Sequence, residues 1–206
     1  MRRLIVLSAL VLAASAPATA QNSGTGELTP TFGYRFGGSL RDAGTGETFA
    51  IRPSWSWGFV AGLAPGSPNL IIEGTYLQQL TRASGENTFA GGEGDLHDMR
   101  LQTALAGVQW DFSPRARTRP FVSAGIGATS LEAQGGGRTT SFTAALSGGV
   151  KLMTSPGFGL RLQLRALGLF SGGSTKGLCH FSDCEIVLPG WGTLQVDLSV
   201  GTLFAF

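Results

Sequence analysis

Eight stretches of this chain alternate apolar and polar residues with a period of two, and the helical period is absent from residue 28 onward. Such a pattern builds strands with one apolar and one polar face, and little else. Thr29–Leu40 sets Phe32, Tyr34 and Phe36 against Thr31, Gly33, Arg35 and Gly37. Ile51–Leu63 sets Ile51, Trp55, Trp57, Phe59 and Leu63 against Arg52, Ser54, Ser56 and Gly58. Asn69–Leu80 sets Leu70, Ile72 and Tyr76 against Glu73, Thr75 and Gln79, with Ile71 and Leu77 blurring the second face. Asp98–Phe112 begins with Met99, Leu101 and Leu105 opposite Arg100 and Gln102, then changes phase at Val108, Trp110 and Phe112. A bulge near Gly107 is expected to restore it.

The last four stretches are more regular. Pro120–Leu131 opposes Val122, Ala124 and Ile126 to Ser123, Gly125, Gly127 and Thr129. Thr139–Leu152 opposes Phe142, Leu146, Val150 and Leu152 to Ser141, Thr143, Ser147 and Lys151. Gly159–Phe170 alternates Leu160, Leu162 and Leu164 with Arg161, Gln163 and Arg165. Trp191–Phe206 opposes Leu194, Val196, Leu198, Val200, Phe204 and Phe206 to Thr193, Gln195, Asp197 and Ser199. The connections alternate in length. Arg41–Ala50, Thr81–His97, Glu132–Arg138 and Ser171–Gly190 are long; Ala64–Pro68, Ser113–Arg119 and Met153–Phe158 are short. Long loops on one rim and short turns on the other predict an all-β fold, an eight-stranded antiparallel up-and-down transmembrane β-barrel with both termini on the short-turn rim.

Residues 1–20 read as an export signal: Arg2 and Arg3, an apolar run from Leu4 to Ala14, and Ala18-Thr19-Ala20 as the cleavage site. Residues 21–27 read as a short linker and 28–206 as the barrel. Without Arg2 and Arg3 the chain has 13 basic and 13 acidic residues, so a basic nucleic-acid surface is not expected. The alternation also fits an inverted, water-soluble lipid carrier with its apolar face inward. Three features favour the membrane. The apolar face carries large residues such as Trp55, Trp57, Tyr76 and Phe142. Charged residues make up only 14% of the chain, too few for a water-facing barrel wall. The final strand keeps Val196, Leu198, Val200, Phe204 and Phe206 in phase, which resembles the terminal signal by which outer-membrane barrels are recognised for insertion by the barrel assembly machinery.

The polar face then places Arg35, Arg52, Glu73, Arg100, Lys151, Arg161, Arg165 and Asp197 inside. Buried charges must pair or meet water. An internal network centred on Glu73 and Asp197 is therefore expected. A barrel of eight strands is barely wider than its own side chains, so a filled interior is favoured over an anion-selective pore.

Cys179 and Cys184, the two cysteines of an exported chain, are expected to form a disulfide. A metal reading would add His180 but lacks a clear fourth ligand. Gly125-x-Gly127 is followed by Ser130 where a dinucleotide fingerprint needs Gly. Gly91-Gly92-Glu93-Gly94-Asp95 is a single copy with its acidic residue displaced from a calcium repeat, leaving Glu86, Glu93, Asp95 and Asp98 as weak cation attractors at most. No catalytic residue, cofactor or metal is expected. His97 lies next to Asp98 at the loop rim, where His97 needs no role beyond solvation.

Gly33-Tyr34-Arg35-Phe36-Gly37-Gly38, Arg119-Pro120-Phe121-Val122 leading to Gly125-Ile126-Gly127-Ala128, Gly148-Gly149-Val150-Lys151-Leu152, Gly159-Leu160-Arg161-Leu162 and the terminal Phe206 together resemble the small eight-stranded outer-membrane β-barrel family of OmpA/OmpX-like barrel domains. The resemblance implies a bacterial outer-membrane barrel with variable surface loops, without specifying one activity. The expected function is non-enzymatic: surface interaction, adhesion or envelope integrity, with outer-membrane lipid, lipopolysaccharide and an extracellular ligand as partners. The enzymatic alternative rests on His180-Phe181-Ser182, similar to the His-x-Ser pair of lipid A deacylases but set inside the expected disulfide loop.

Overall fold

The computed structural model describes residues 26–42, 48–85, 97–133, 138–170, 175–176, 185–187 and 193–206. The strands among them are β1 (Gly26–Gly37), β2 (Ser39–Asp42), β3 (Thr48–Ile51), β4 (Ser54–Leu63), β5 (Leu70–Gly85), β6 (His97–Asp111), β7 (Thr118–Ala133), β8 (Arg138–Ser155), β9 (Phe158–Phe170), β10 (Thr175–Lys176), β11 (Glu185–Val187) and β12 (Thr193–Ala205). Eight long strands, β1, β4 to β9 and β12, pair antiparallel with their neighbours in sequence. β12 returns to β1, with Glu27 opposite Ala205 and Arg35 opposite Asp197, so the sheet closes and no edge is left among the long strands. Gly26 and Phe206 exchange two backbone hydrogen bonds of 2.8 and 2.9 Å at the seam. Glu27 therefore belongs to the barrel rather than to a linker.

The strands of the loop rim run further than the alternation suggests. β2 and β3 pair antiparallel across the stretch read as loop 41–50, and β5 continues past Leu80 to pair with β3. β11 pairs with β2, so a small sheet stands above the barrel wall. Gly37 and Gly38 have φ of 82° and 101°, the left-handed backbone that turns β1 into β2.

Two phase assignments are corrected. The β5–β6 and β6–β7 registers run unbroken past Gly107, so no bulge lies there. Val108 and Trp110 set the outer face of β6 along its full length, and Phe112 just beyond it keeps the same side. Met99, Leu101 and Leu105 point inward instead. The extra residue sits elsewhere. Ile51 pairs with Ala83 and Ser56 with Gln79, so β3–β4 has one residue more than the facing β5 at Arg52-Pro53. Proline cannot donate to the ladder, and the chain bulges there. Ile51 turns inward and Arg52 outward.

The wall is inverted relative to a soluble protein. Trp55, Leu63 and Leu146 are more than 60% exposed, while Arg35, Lys151 and Asp197 are fully buried. Aromatic residues on the outer wall contact one another, as in Phe32–Trp55, Phe59–Tyr76 and Phe158–Phe204. An apolar outside with a charged inside excludes the soluble carrier. Glycines let strands approach closely where the narrow barrel coils. A Cβ on Gly127 would meet the carbonyl oxygen of Ala104 and the Cα of Leu105.

Candidate functional site

The lumen is the most constrained part of the molecule. At its short-turn end the Lys151 ammonium donates to Glu27 Oε2 at 2.6 Å and to Asp111 Oδ2 at 3.0 Å. Gln109 Nε2 donates to the other Asp111 oxygen at 2.6 Å. Next, Arg161 Nη2 donates to Glu73 Oε2 at 2.8 Å, and its Nε donates to Gln163 Oε1 at 2.8 Å. Its guanidinium lies 4.4 Å from the centre of the Phe121 ring, a buried cation–π contact. Thr75 Oγ1 donates to Glu73 Oε1 at 3.1 Å.

Deeper toward the loop rim, one ladder row carries Arg35, Asp197 and Arg165 side by side. Arg35 Nε is 3.6 Å from Asp197 Oδ2, a charge contact rather than a hydrogen bond. That oxygen accepts from Ser56 Oγ. Arg165 Nε donates to Ser147 Oγ at 3.3 Å. The Nη groups of Arg35 and Arg165 have no protein acceptor, a situation internal water ordinarily meets. Above this row Ile51, Leu77, Met99, Leu101, Leu105, Leu131, Leu167 and Leu169 form one packed apolar cluster.

Six of the eight charges assigned to the interior thus lie there: Arg35, Glu73, Lys151, Arg161, Arg165 and Asp197. Arg52 and Arg100 do not. The bulge at Arg52-Pro53 turns the first outward, and the unbroken phase of β6 turns the second outward. Two carboxylates absent from the expected set, Glu27 and Asp111, complete the network. Both were legible in principle. Glu27 keeps the parity of Thr29 and Thr31, and Asp111 that of Gln109 once Trp110 defines the outer face. With these changes four cations face four carboxylates, whereas the set read from the sequence held six cations and two carboxylates.

Cys179, Cys184, His180, Ser182 and the Gly91–Asp95 segment lie outside the described residues. His97 opens β6 at the loop rim. Among the described residues no cluster of three metal-ligating side chains occurs. Phe206, Phe204, Val200 and Leu198 all stand on the outer wall of β12 and its end.

An apolar outer wall, a closed antiparallel ladder and an ion-paired interior define a membrane-spanning barrel. The family described as "Outer membrane protein beta-barrel domain" matches residues 6–183, and the chain belongs to that family. Bacterial outer membrane is therefore its location. Among solved structures, the fold is similar to the outer membrane protein OprG from Pseudomonas aeruginosa, with a TM-score of 0.62 at 11% identity, covering 89% of this chain and 96% of that one. It is also similar to Neisserial surface protein A, with a TM-score of 0.57 at 14% identity, covering 90% of this chain and all of that one. These likenesses concern the fold alone. No curated protein matches the chain in sequence.

Proposed function

We propose that this protein is a closed, non-enzymatic outer-membrane barrel that works through its outer surface, in surface interaction, adhesion or envelope integrity. The observation that carries this reading is the filled lumen. The ion-paired rows and the apolar cluster above them lie in series, and a dry apolar layer opposes the passage of hydrated ions. The small sheet built from β2, β3, β10 and β11 extends the loop rim and offers backbone and loops to the exterior. Phe206, Phe204, Val200 and Leu198 serve as the insertion signal read by the barrel assembly machinery, and the loop rim meets lipopolysaccharide or an extracellular ligand.

The purified chain in planar bilayers is expected to show no stepwise conductance at moderate voltage. Replacing Leu101, Leu131 and Leu167 together by Ser wets the apolar layer and is expected to raise ion leakage. Sustained conductance by the wild type would overturn the closed-lumen reading. A deletion strain with unchanged surface attachment and unchanged permeability to large antibiotics would overturn the surface role.

A further inference from the structure

The two arginines that leave the lumen, Arg52 and Arg100, join two others on the outer wall. Arg52, Arg82, Arg100 and Arg138 are all exposed at the loop end. The ladder brings them together. Leu80 faces Arg100, Arg82 faces Asp98, and Glu132 lies between Arg100 and Arg138. The Arg52 N–H donates to the Arg82 carbonyl at 3.0 Å. Arg52, Arg82, Arg100 and Leu80, together with the carboxylates Asp98 and Glu132, line a recess of about 710 Å³ at the loop end. Arg82 is paired with Asp98 at 2.9 Å, and Arg138 Nε donates to Ser130 Oγ at 2.8 Å. Four arginines thus stand with two carboxylates, Asp98 and Glu132, so basic groups exceed acidic ones in the patch.

The depth of this patch identifies what it faces. Just below it Gln102 Nε2 donates to the Tyr76 hydroxyl at 3.1 Å, and that hydroxyl donates to Gln78 Oε1 at 3.2 Å. The Tyr76 ring also packs on Phe59. A self-satisfied polar ladder with an aromatic body marks the edge of the hydrocarbon. Arg100 and Arg82 lie two to six residues further along these same strands, about 5 to 15 Å higher at a rise of ~3.4 Å and a tilt of about 40°, and Arg52 is bonded beside Arg82. That is head-group depth. Beneath them Gly74, Ala104, Ala106 and Ala128 leave a shallow exposed furrow in the apolar wall.

We infer that this patch and furrow form a binding site for an outer-leaflet glycolipid whose head group carries phosphates and whose acyl chains lie along the furrow. Guanidinium forks suit phosphate oxygens, and at this depth the wall meets amphiphiles rather than bulk solvent. The inference rests on the reading of the outer surface as the working face.

The test uses the full chain, refolded in detergent micelles and titrated with bisphosphorylated lipid A, with binding read by native mass spectrometry. The Arg52→Gln/Arg100→Gln variant is expected to bind about tenfold more weakly or worse, the scale for removing two basic groups from an anionic membrane surface. Arg115→Gln/Arg117→Gln, at the opposite rim, is expected to bind as the wild type does. A heat-dependent gel shift verifies that each variant is folded. Equal binding by the loop-end variant, equal loss in both variants, or equal binding of dephosphorylated lipid A would each overturn the site. Competition by the deacylated phosphorylated saccharide as strong as that of the intact lipid would also overturn it, indicating a soluble polyanion instead. Conductance reads the lumen and this titration reads the outer wall, so the two readings can fail separately.

Discussion

Replacing Lys151 by Met is expected to destabilise the folded barrel by about 3 kcal/mol, the lower end of the range for removing one partner of a buried ion pair. The lower end applies because Glu27 borders the short-turn mouth and retains some contact with water, while Lys151 is fully buried and Asp111 nearly so. One ammonium holds two carboxylates. Its removal leaves Glu27 and Asp111 facing each other uncompensated. Urea unfolding in lipid vesicles, followed by tryptophan fluorescence, measures the loss. Adding Glu27→Gln and Asp111→Asn to the Lys151 variant is expected to recover most of it. A loss below about 1 kcal/mol, the scale of an exposed surface pair, would show that water already screens this cluster.

Gly127→Ala is expected to cost about 3 kcal/mol or more, the upper end of overpacking penalties. The added methyl would run into the Ala104 carbonyl oxygen and the Leu105 Cα on the adjacent strand. Neither obstacle is a rotatable side-chain end, so β6 and β7 must separate. The rows that carry Thr103, Thr129 and Thr143 separate with them; their hydroxyls are linked at 2.9 and 2.7 Å. Ile126→Ala, on the lipid side of the same strand, is the matched control and is expected to leave folding intact. The heat-dependent gel shift after refolding gives the comparison. A normal shift and unchanged urea midpoint for Gly127→Ala would mean the barrel relaxes easily at this position.

The fold was largely legible because alternation of period two reports which face meets lipid, and loop lengths report which rim is which. In segments such as β9, where Leu160 to Leu164 alternate cleanly with Arg161 to Arg165, the two faces separate without ambiguity. β6 is ambiguous in the sequence because both of its faces carry apolar residues. Met99, Leu101 and Leu105 look like lipid-facing residues, yet they fill the lumen. Only the unbroken registers with β5 and β7 distinguish an apolar plug from an apolar exterior. The site suffered from the same ambiguity. The sides on which Arg100 and Asp111 stand both depend on the phase of that strand.

By itself the sequence determined the strand number, the lipid-facing side of most strands and the short-turn rim, since each follows from local periodicity and spacing. The tertiary structure decided which charges meet. Lys151 lies 124 residues from Glu27 and 40 from Asp111, and Arg161 lies 88 from Glu73. Those pairings depend on the stagger of a closed barrel, which no single strand encodes. The structure likewise decided that Arg52 and Arg100 face outward, because a bulge and a register are properties of two strands in contact rather than of one.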